Sequence, residues 1–565
     1  MARPWLFGNT TVRNALRLKH GLAVLVDSGY LGIVEGVNET AFAWALHEAG
    51  VVELNETTDD VSSIARKWRS ALCKLGYLIP KVTPVTGTHQ DEVGGKFTLT
   101  RNGQRLLEAN TAPAIHEVYL RALIAIQLPS PTERNFGMTV FSPFRHVLAV
   151  MLRLQENVDT PHISFIEMAT VVQLSSTDDG LDTIVSNILS VRARREIASN
   201  KKAFDRTETE RAASQNGLKA STYADYADTN FRYLKASGLI QNKGRGITIV
   251  PEHTALVEAL VAQSEPALSP VAYFKRLFEG AVLPTDQQDG AIQVLNALQI
   301  VADSRGVGLD LSGRDLSNPA SVAVVRHELE ERIFHSKEEQ YAFEQFGQIE
   351  EILAVMSLIN DRRSSMTLSS GEEVNVPINE MPAYFEWVLW RTFLALRHYV
   401  LKPHELRRFN IDQDFLPMGT AAGGGSDVIV EFEDFVVVVE VTLTDGSRQE
   451  AAEGEPVRRH VADVVSKFED TEKAVYGLFV AKRINSNTAE TFRIGVWYRN
   501  DDTKMTVDVV PFTLQQFRGL IQDIFADGNV HPNRIRAVMD QITSIRHHTD
   551  GAPEWKTKIA ESLAV

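Results

Sequence analysis

The four consecutive valines Val436 to Val439 constrain this chain more than any other stretch, because a short, wholly β-branched run reads as a strand buried on both faces. Glu440 closes the run, and a carboxylate buried there is costly unless it is paired or bound to a metal. A second strand-like run, Ser426 to Phe432, precedes it, and Glu433-Asp434 supplies the turn between them. Antiparallel pairing brings Asp427 to the same end of the hairpin as Glu440. Carboxylates beside a hairpin are often solvated strand ends, an account that suits Asp427 better than Glu440, which interrupts the buried run. Two hard oxygen ligands on rigid strands suit Mg²⁺, which keeps several waters and completes its shell with phosphate oxygens.

A third acid, Glu453, follows Glu440 by thirteen residues, the same interval that separates Glu440 from Asp427. Alternation sets Glu440 and Thr442 on one face of the strand and Val441 on the other. The pattern resembles the PD-(D/E)xK nuclease core with one departure. Thr442 stands where that superfamily usually carries a lysine, so the task of orienting water and stabilising charge must pass to another group or to metal. His460 lies two turns beyond Glu453 on an expected helix from Pro456 to Phe468. It is placed either to transfer a proton or orient a glutamate, or to be a surface histidine beside Arg458 and Arg459. Gly423-Gly424-Gly425 is followed by a strand and by no Lys-Ser/Thr pair, which argues for close backbone approach to DNA or metal rather than a nucleotide loop.

A chain of 565 residues exceeds one core and suggests about three or four domains. Its longest apolar run falls far short of a membrane span, and the start Met1-Ala2-Arg3-Pro4-Trp5 lacks a signal-peptide core, so a cytoplasmic enzyme with no membrane partner is expected. Cys73 is the single cysteine, which excludes an intrachain disulfide and a cysteine-based zinc site. The net charge of −15 argues against nucleic acid only until its distribution is considered. Ser62 to Arg105 holds eight basic residues against two acids, and Phe231 to Gly246 holds Arg232, Lys235, Lys243 and Arg245 with no acid. Basic surface gathers toward the N-terminal half, and the carboxylates lie toward the C-terminus.

Both basic segments have the order of a winged helix. In the first, Ile64, Trp68, Leu72, Leu75 and Leu78 recur at helical spacing, Gly76 ends the helix, Lys96 to Thr100 forms a strand, and Asn102-Gly103 reads as the wing. In the second, Tyr226 to Ala236 is helical, Asn242 to Gly246 is a basic hairpin tip, and Ile247 to Val250 returns. Such modules bind DNA through helix and wing, or bind protein instead. The DNA reading assigns contacts to Arg66, Lys67, Arg69, Lys96, Arg101, Arg232, Lys235, Lys243 and Arg245. A helical stretch follows, where Lys337-Glu338-Glu339 reads as a solvated face. Past Pro377, Asn379 is the expected cap of a helix running through Trp387.

Phe7 to Asn14, Gly424 to Asp427, Glu440 to Leu443 and Glu453 to His460 together resemble the signature stretches of the AlwI-like type IIS restriction endonucleases and their strand-nicking relatives. The resemblance implies metal binding by Asp427, Glu440 and Glu453, with a further glutamate on the preceding helix placed at Glu386. Because Glu-Val-Thr is the family's form, Thr442 does not speak against activity. The expected architecture is multidomain α+β: winged-helix DNA-recognition modules at 1–265, a helical linker at 266–375, and a PD-(D/E)xK-like α/β nuclease domain at 376–565. The expected activity is Mg²⁺-dependent cleavage of double-stranded DNA a few base pairs outside a short asymmetric site. A strand-specific nickase and a non-cleaving winged-helix regulator are the alternatives. One acidic cluster per chain implies a transient homodimer or a partner subunit for double-strand breaks, with Glu431, Glu433 and Asp434 opposing association off DNA.

Overall fold

The computed structural model describes residues 3–52, 54, 61–83, 87–133, 137–264 and 266–563. Met1, Ala2 and the boundary residue 265 lie outside them. The chain divides into two units, Met1–Ile333 and Phe334–Val565, and is a mixed α+β protein. The stretch 266–375 is shared between these units rather than standing apart as a linker. Pro270–Glu279 and Gln288–Ser304 bury their apolar faces within the first, and Ile349–Asp361 packs on Met381–Leu396 and Leu514–Ala526 in the second.

In the first unit, helices Leu18–Asp27, Val37–Glu48 and Val61–Lys74 pack together. Val61–Lys74 is amphipathic as its spacing requires and buries Ala65, Trp68, Ala71 and Leu72. The Trp68 ring lies against Gly21, where a Cβ would come within 2.3 Å of it. The chain turns at Gly76 (φ +72), and Leu78 then bridges Leu99, with Phe97 N donating to Ile79 O at 2.7 Å. The wing expected at Asn102-Gly103 is not one. Thr100 Oγ1 caps Gly103 N at 3.0 Å, which starts the helix Arg101–Glu108 and buries Asn102.

The second basic segment follows its expectation more closely. Helix Ala220–Ala236 leads into strands Ile240–Lys243 and Gly246–Ile249, and Ile163–Ser164 adds to the latter, giving the order Ile163–Ser164, Gly246–Ile249, Ile240–Lys243. Gly246 is required there, because a Cβ would lie 2.3 Å from Ile163 O. The N-terminal stretch straps this helix down. Phe7 N donates to Asn230 Oδ1 at 3.1 Å, Asn230 Nδ2 donates to Trp5 O at 3.1 Å, and Tyr233 OH donates to Val12 O at 3.0 Å.

The second unit is built on a four-stranded sheet, ordered Val509–Thr513, Ala474–Ala481, Phe435–Thr442, Val428–Glu431. Only the last pair is antiparallel. Val436 to Val439 are fully buried in it, as the run demands. Met381–Leu396 packs on the hairpin strands, and Glu455–Lys467 on Phe435–Thr442 and Ala474–Ala481. Apart from Pro382, every residue of Met381–Leu396 is buried, so its polar members need partners. Arg391 finds Gln345 at 2.6 Å, Glu351 at 2.8 Å and the Trp387 ring at 4.5 Å. The helix starts after a tight turn, Ile378–Glu380, so Asn379 is not its cap. Among the described residues no helix is long and apolar enough to cross a membrane.

Lys337-Glu338-Glu339 is only partly a solvated face, since Glu339 is exposed and Glu338 is not. Glu338 is wholly buried because Arg407 reaches it through two hydrogen bonds of 2.7 and 2.9 Å. Removing one partner strands a charge, so Arg407→Ala should cost about 3–5 kcal/mol, and Arg407→Met with Glu338→Leu clearly less. Denaturant unfolding of the two variants checks this.

Candidate active site

The hairpin register pairs Val428 with Val439, so one step further Asp427 and Glu440 stand opposite each other. Asp427 Oδ2 accepts from Val441 N at 2.9 Å, which fixes it to the strand. Glu386 is buried on Met381–Leu396 and its Oε2 accepts from Ala421 N at 2.6 Å. His460 is buried too, with Nδ1 2.7 Å from Glu440 Oε1 and Nε2 unpartnered among the described residues. The surface-histidine alternative is overturned, because the packing of Glu455–Lys467 on the central strands turns His460 inward. Glu453 sits on a π-helical turn, Glu450–Gly454, and the nearby Thr442 hydroxyl favours its charged form. Glu440 and Thr442, from one strand face, thus receive His460 and Glu453.

Burial and mutual repulsion push Asp427, Glu386 and Glu440 well above the usual carboxylate range, and burial raises Glu453 less strongly. Burial, then the neighbouring Arg459, lowers His460. A buried cluster of like charges keeps its charge only beside a compensating cation. Among the described residues no three His, Cys, Asp or Glu side chains form a ready-made metal cage, so the expected trio of Asp427, Glu440 and Glu453 is not preformed. Mg²⁺ does not require one, since it is usually held through one or two carboxylates and keeps several waters. The opposed pair Asp427 and Glu440 fits that demand.

The structure adds Arg408, which no local sequence signal marks. Its guanidinium lies where a Cβ on Gly425 would stand, 2.1 Å from Nη1, and its charge acts on Glu386 and Glu440. Gly425 therefore makes room for a side chain. Of the acids beyond the cluster, Glu431 pairs with Lys473 at 2.6 Å and Asp434 with Arg536, while Glu433 stands exposed.

The expected DNA contacts separate by their partners. Arg69 is committed internally, donating to Glu39 at 2.7 Å and stacking on Phe97 at 4.6 Å. Arg66 also pairs with Glu39, Lys96 with Glu35, Arg101 with Glu279 and Arg232 with Asp228. Lys67 and Lys235 are half-buried. Lys243 and Arg245 stand exposed at the hairpin tip, with Lys243 reaching Thr160 Oγ1 at 3.3 Å.

Residues 73–520 match the AlwI restriction endonuclease family, a span that takes in all four acids and His460. The chain belongs to that family. It is a restriction enzyme, a nuclease acting on DNA, and such enzymes generally use divalent metal ions. The stretch Phe7 to Asn14 precedes the matched residues. Nine solved chains also match, among them the small subunit of the heterodimeric restriction endonuclease R.BspD6I, with 28% identity over 37% of this chain and 97% of that one and a TM-score of 0.30. No curated protein matches.

Because the folded state holds these carboxyls above their unfolded values, it binds more protons than the unfolded chain between the two, and metal-free stability falls as pH rises through that window. Asp427→Asn should therefore raise the melting temperature of the metal-free protein at neutral pH, by about 2–4 °C per kcal/mol relieved, with the gain shrinking toward pH 4. Calorimetry with chelator across pH checks the sign.

Proposed function

We propose that this member of the AlwI family is a type IIS enzyme that reads a short asymmetric duplex sequence with its first unit and cuts a few base pairs to one side with its second. The observation that carries this reading is the buried opposition of Asp427 and Glu440 at the end of a mixed sheet, with Glu386, Glu453 and His460 around it. The helix Met381–Leu396, the hairpin, the parallel strand Ala474–Ala481 and the helix Glu455–Lys467 are consistent with a PD-(D/E)xK-like core. The strand order around Ala220–Ala236, and its basic hairpin tip at Lys243 and Arg245, supports a winged-helix reader. The helices before Val61–Lys74 and the pairing of Ile79 with Phe97 support a second.

Asp427 and Glu440 would hold Mg²⁺, which supplies charge neutralisation at the phosphate and a more acidic water when bound. The chain's own groups set the rest. Val441 N and Ala421 N fix Asp427 and Glu386, and His460 holds the Glu440 carboxylate while its Nε2 stays available for a proton. Thr442 favours the charged form of Glu453.

Glu440→Gln should abolish cutting of plasmid in Mg²⁺ while site-specific binding by gel shift survives, and its affinity should fall steeply with salt. Near wild-type cutting by this variant would remove the metal assignment. Run-off sequencing of both strands after digestion by the wild type would show whether the cuts lie outside the bound sequence.

A strand-nicking activity has an observation of its own in favour. Among the described residues one such acidic cluster is present, and one cluster addresses one phosphodiester at a time. Nicked plasmid should accumulate first, and conversion to linear should rise more steeply than linearly with enzyme. Concerted cutting by a species shown to be monomeric on DNA would contradict it.

A further inference from the structure

The acid cluster lacks the lysine that its pattern leads one to expect, and Thr442, in that place, carries no charge. Two arginines act on Glu440, Arg408 and Arg459. Arg459 is already engaged by Glu455, 3.1 Å away on its own helix. Arg408 is different: among the described residues it makes no ion pair, and its one side-chain hydrogen bond is a long one of 3.5 Å from Nη1 to Ser426 O. It is also solvent-exposed while its neighbour Arg407 is spent on Glu338. Its backbone is held beside the site, since Arg408 N donates to Asp427 O at 3.2 Å and Arg407 bridges Val428. The chain keeps the space for it empty: any side chain at Gly425 would occupy the position of the guanidinium, although Gly423 and Gly424 next to it face open space.

We propose that Arg408 is a catalytic residue that contacts the scissile phosphate and stabilises the negative charge gathering on its non-bridging oxygens, taking the electrostatic part of the missing lysine's task. A guanidinium offers two parallel N–H donors to such oxygens and stays charged at any working pH. No proton is moved by it: it donates hydrogen bonds, and cleavage of the P–O bond by water is unchanged in balance. The role rests on the reading of Asp427 and Glu440 as a nuclease centre.

The test uses the full-length protein and the duplex it is found to bind, with single-turnover cutting and gel-shift affinity measured side by side. Arg408→Ala should lose about 10²–10³-fold in cutting rate, the scale seen when one oxyanion donor is removed, with binding affinity within threefold of wild type. Arg408→Lys, which keeps the charge and loses the paired donors, should recover part of the rate. Added ethylguanidinium should speed Arg408→Ala and leave the wild type unchanged, a response that a purely structural arginine would not give. Gly425→Ala, which displaces the guanidinium without removing it, should slow cutting in wild type and add little to Arg408→Ala. Cutting by Arg408→Ala within threefold of wild type, or a loss matched by equal loss of binding and not rescued by ethylguanidinium, overturns the proposal. If Glu440→Gln is inactive in that same assay, Arg408 alone has been misassigned. If Glu440→Gln also cuts normally, the nuclease centre itself has been misplaced.

Discussion

The second unit depends on one unfavourable contact, the opposition of Asp427 and Glu440 across the end of a buried hairpin. Strand pairing alone would fill these places with valine, as it does at Val436 to Val439. Putting carboxylates there instead raises the energy of the metal-free fold, because burial and proximity both penalise the charged forms. The surroundings answer that cost with fixed donors. Val441 N takes Asp427, Ala421 N takes Glu386 and His460 takes Glu440, from a strand, a loop and a helix of the same core.

Holding these donors in place explains features that look unrelated. The nearly all-buried helix Met381–Leu396 must bring Glu386 under the hairpin and so needs Arg391 satisfied on its other side. The π-helical turn at Glu450–Gly454 carries Glu453 just before the regular helix begins, in keeping with the frequent appearance of such turns at functional sites. Gly425 leaves room for Arg408, so the glycine run serves a side chain of this protein as well as any approaching backbone.

Strong local chemistry was legible in the sequence. The valine run, the turn at Glu433-Asp434 and the basic tip at Lys243 and Arg245 declare their geometry within a few residues, and the structure shows the two hairpins there. Partners distant in sequence were not legible. Glu338 reads as solvated because Arg407 lies far along the chain, and His460 reads ambiguously until its helix packs on the strands. Asn102-Gly103 has the composition of a turn, but Thr100 uses the glycine amide to start a helix. Arg69 reads as a DNA contact because Glu39 and Phe97, which hold it, are out of register with any motif.

The proposed function requires the opposed carboxylates to hold a divalent cation at DNA. Mn²⁺ binding followed by electron paramagnetic resonance, with the specific duplex present, addresses it directly and without reference to cutting. Wild type should hold tightly bound Mn²⁺ that Asp427→Asn loses while the duplex stays bound. Equal Mn²⁺ stoichiometry and affinity in the two proteins would contradict it.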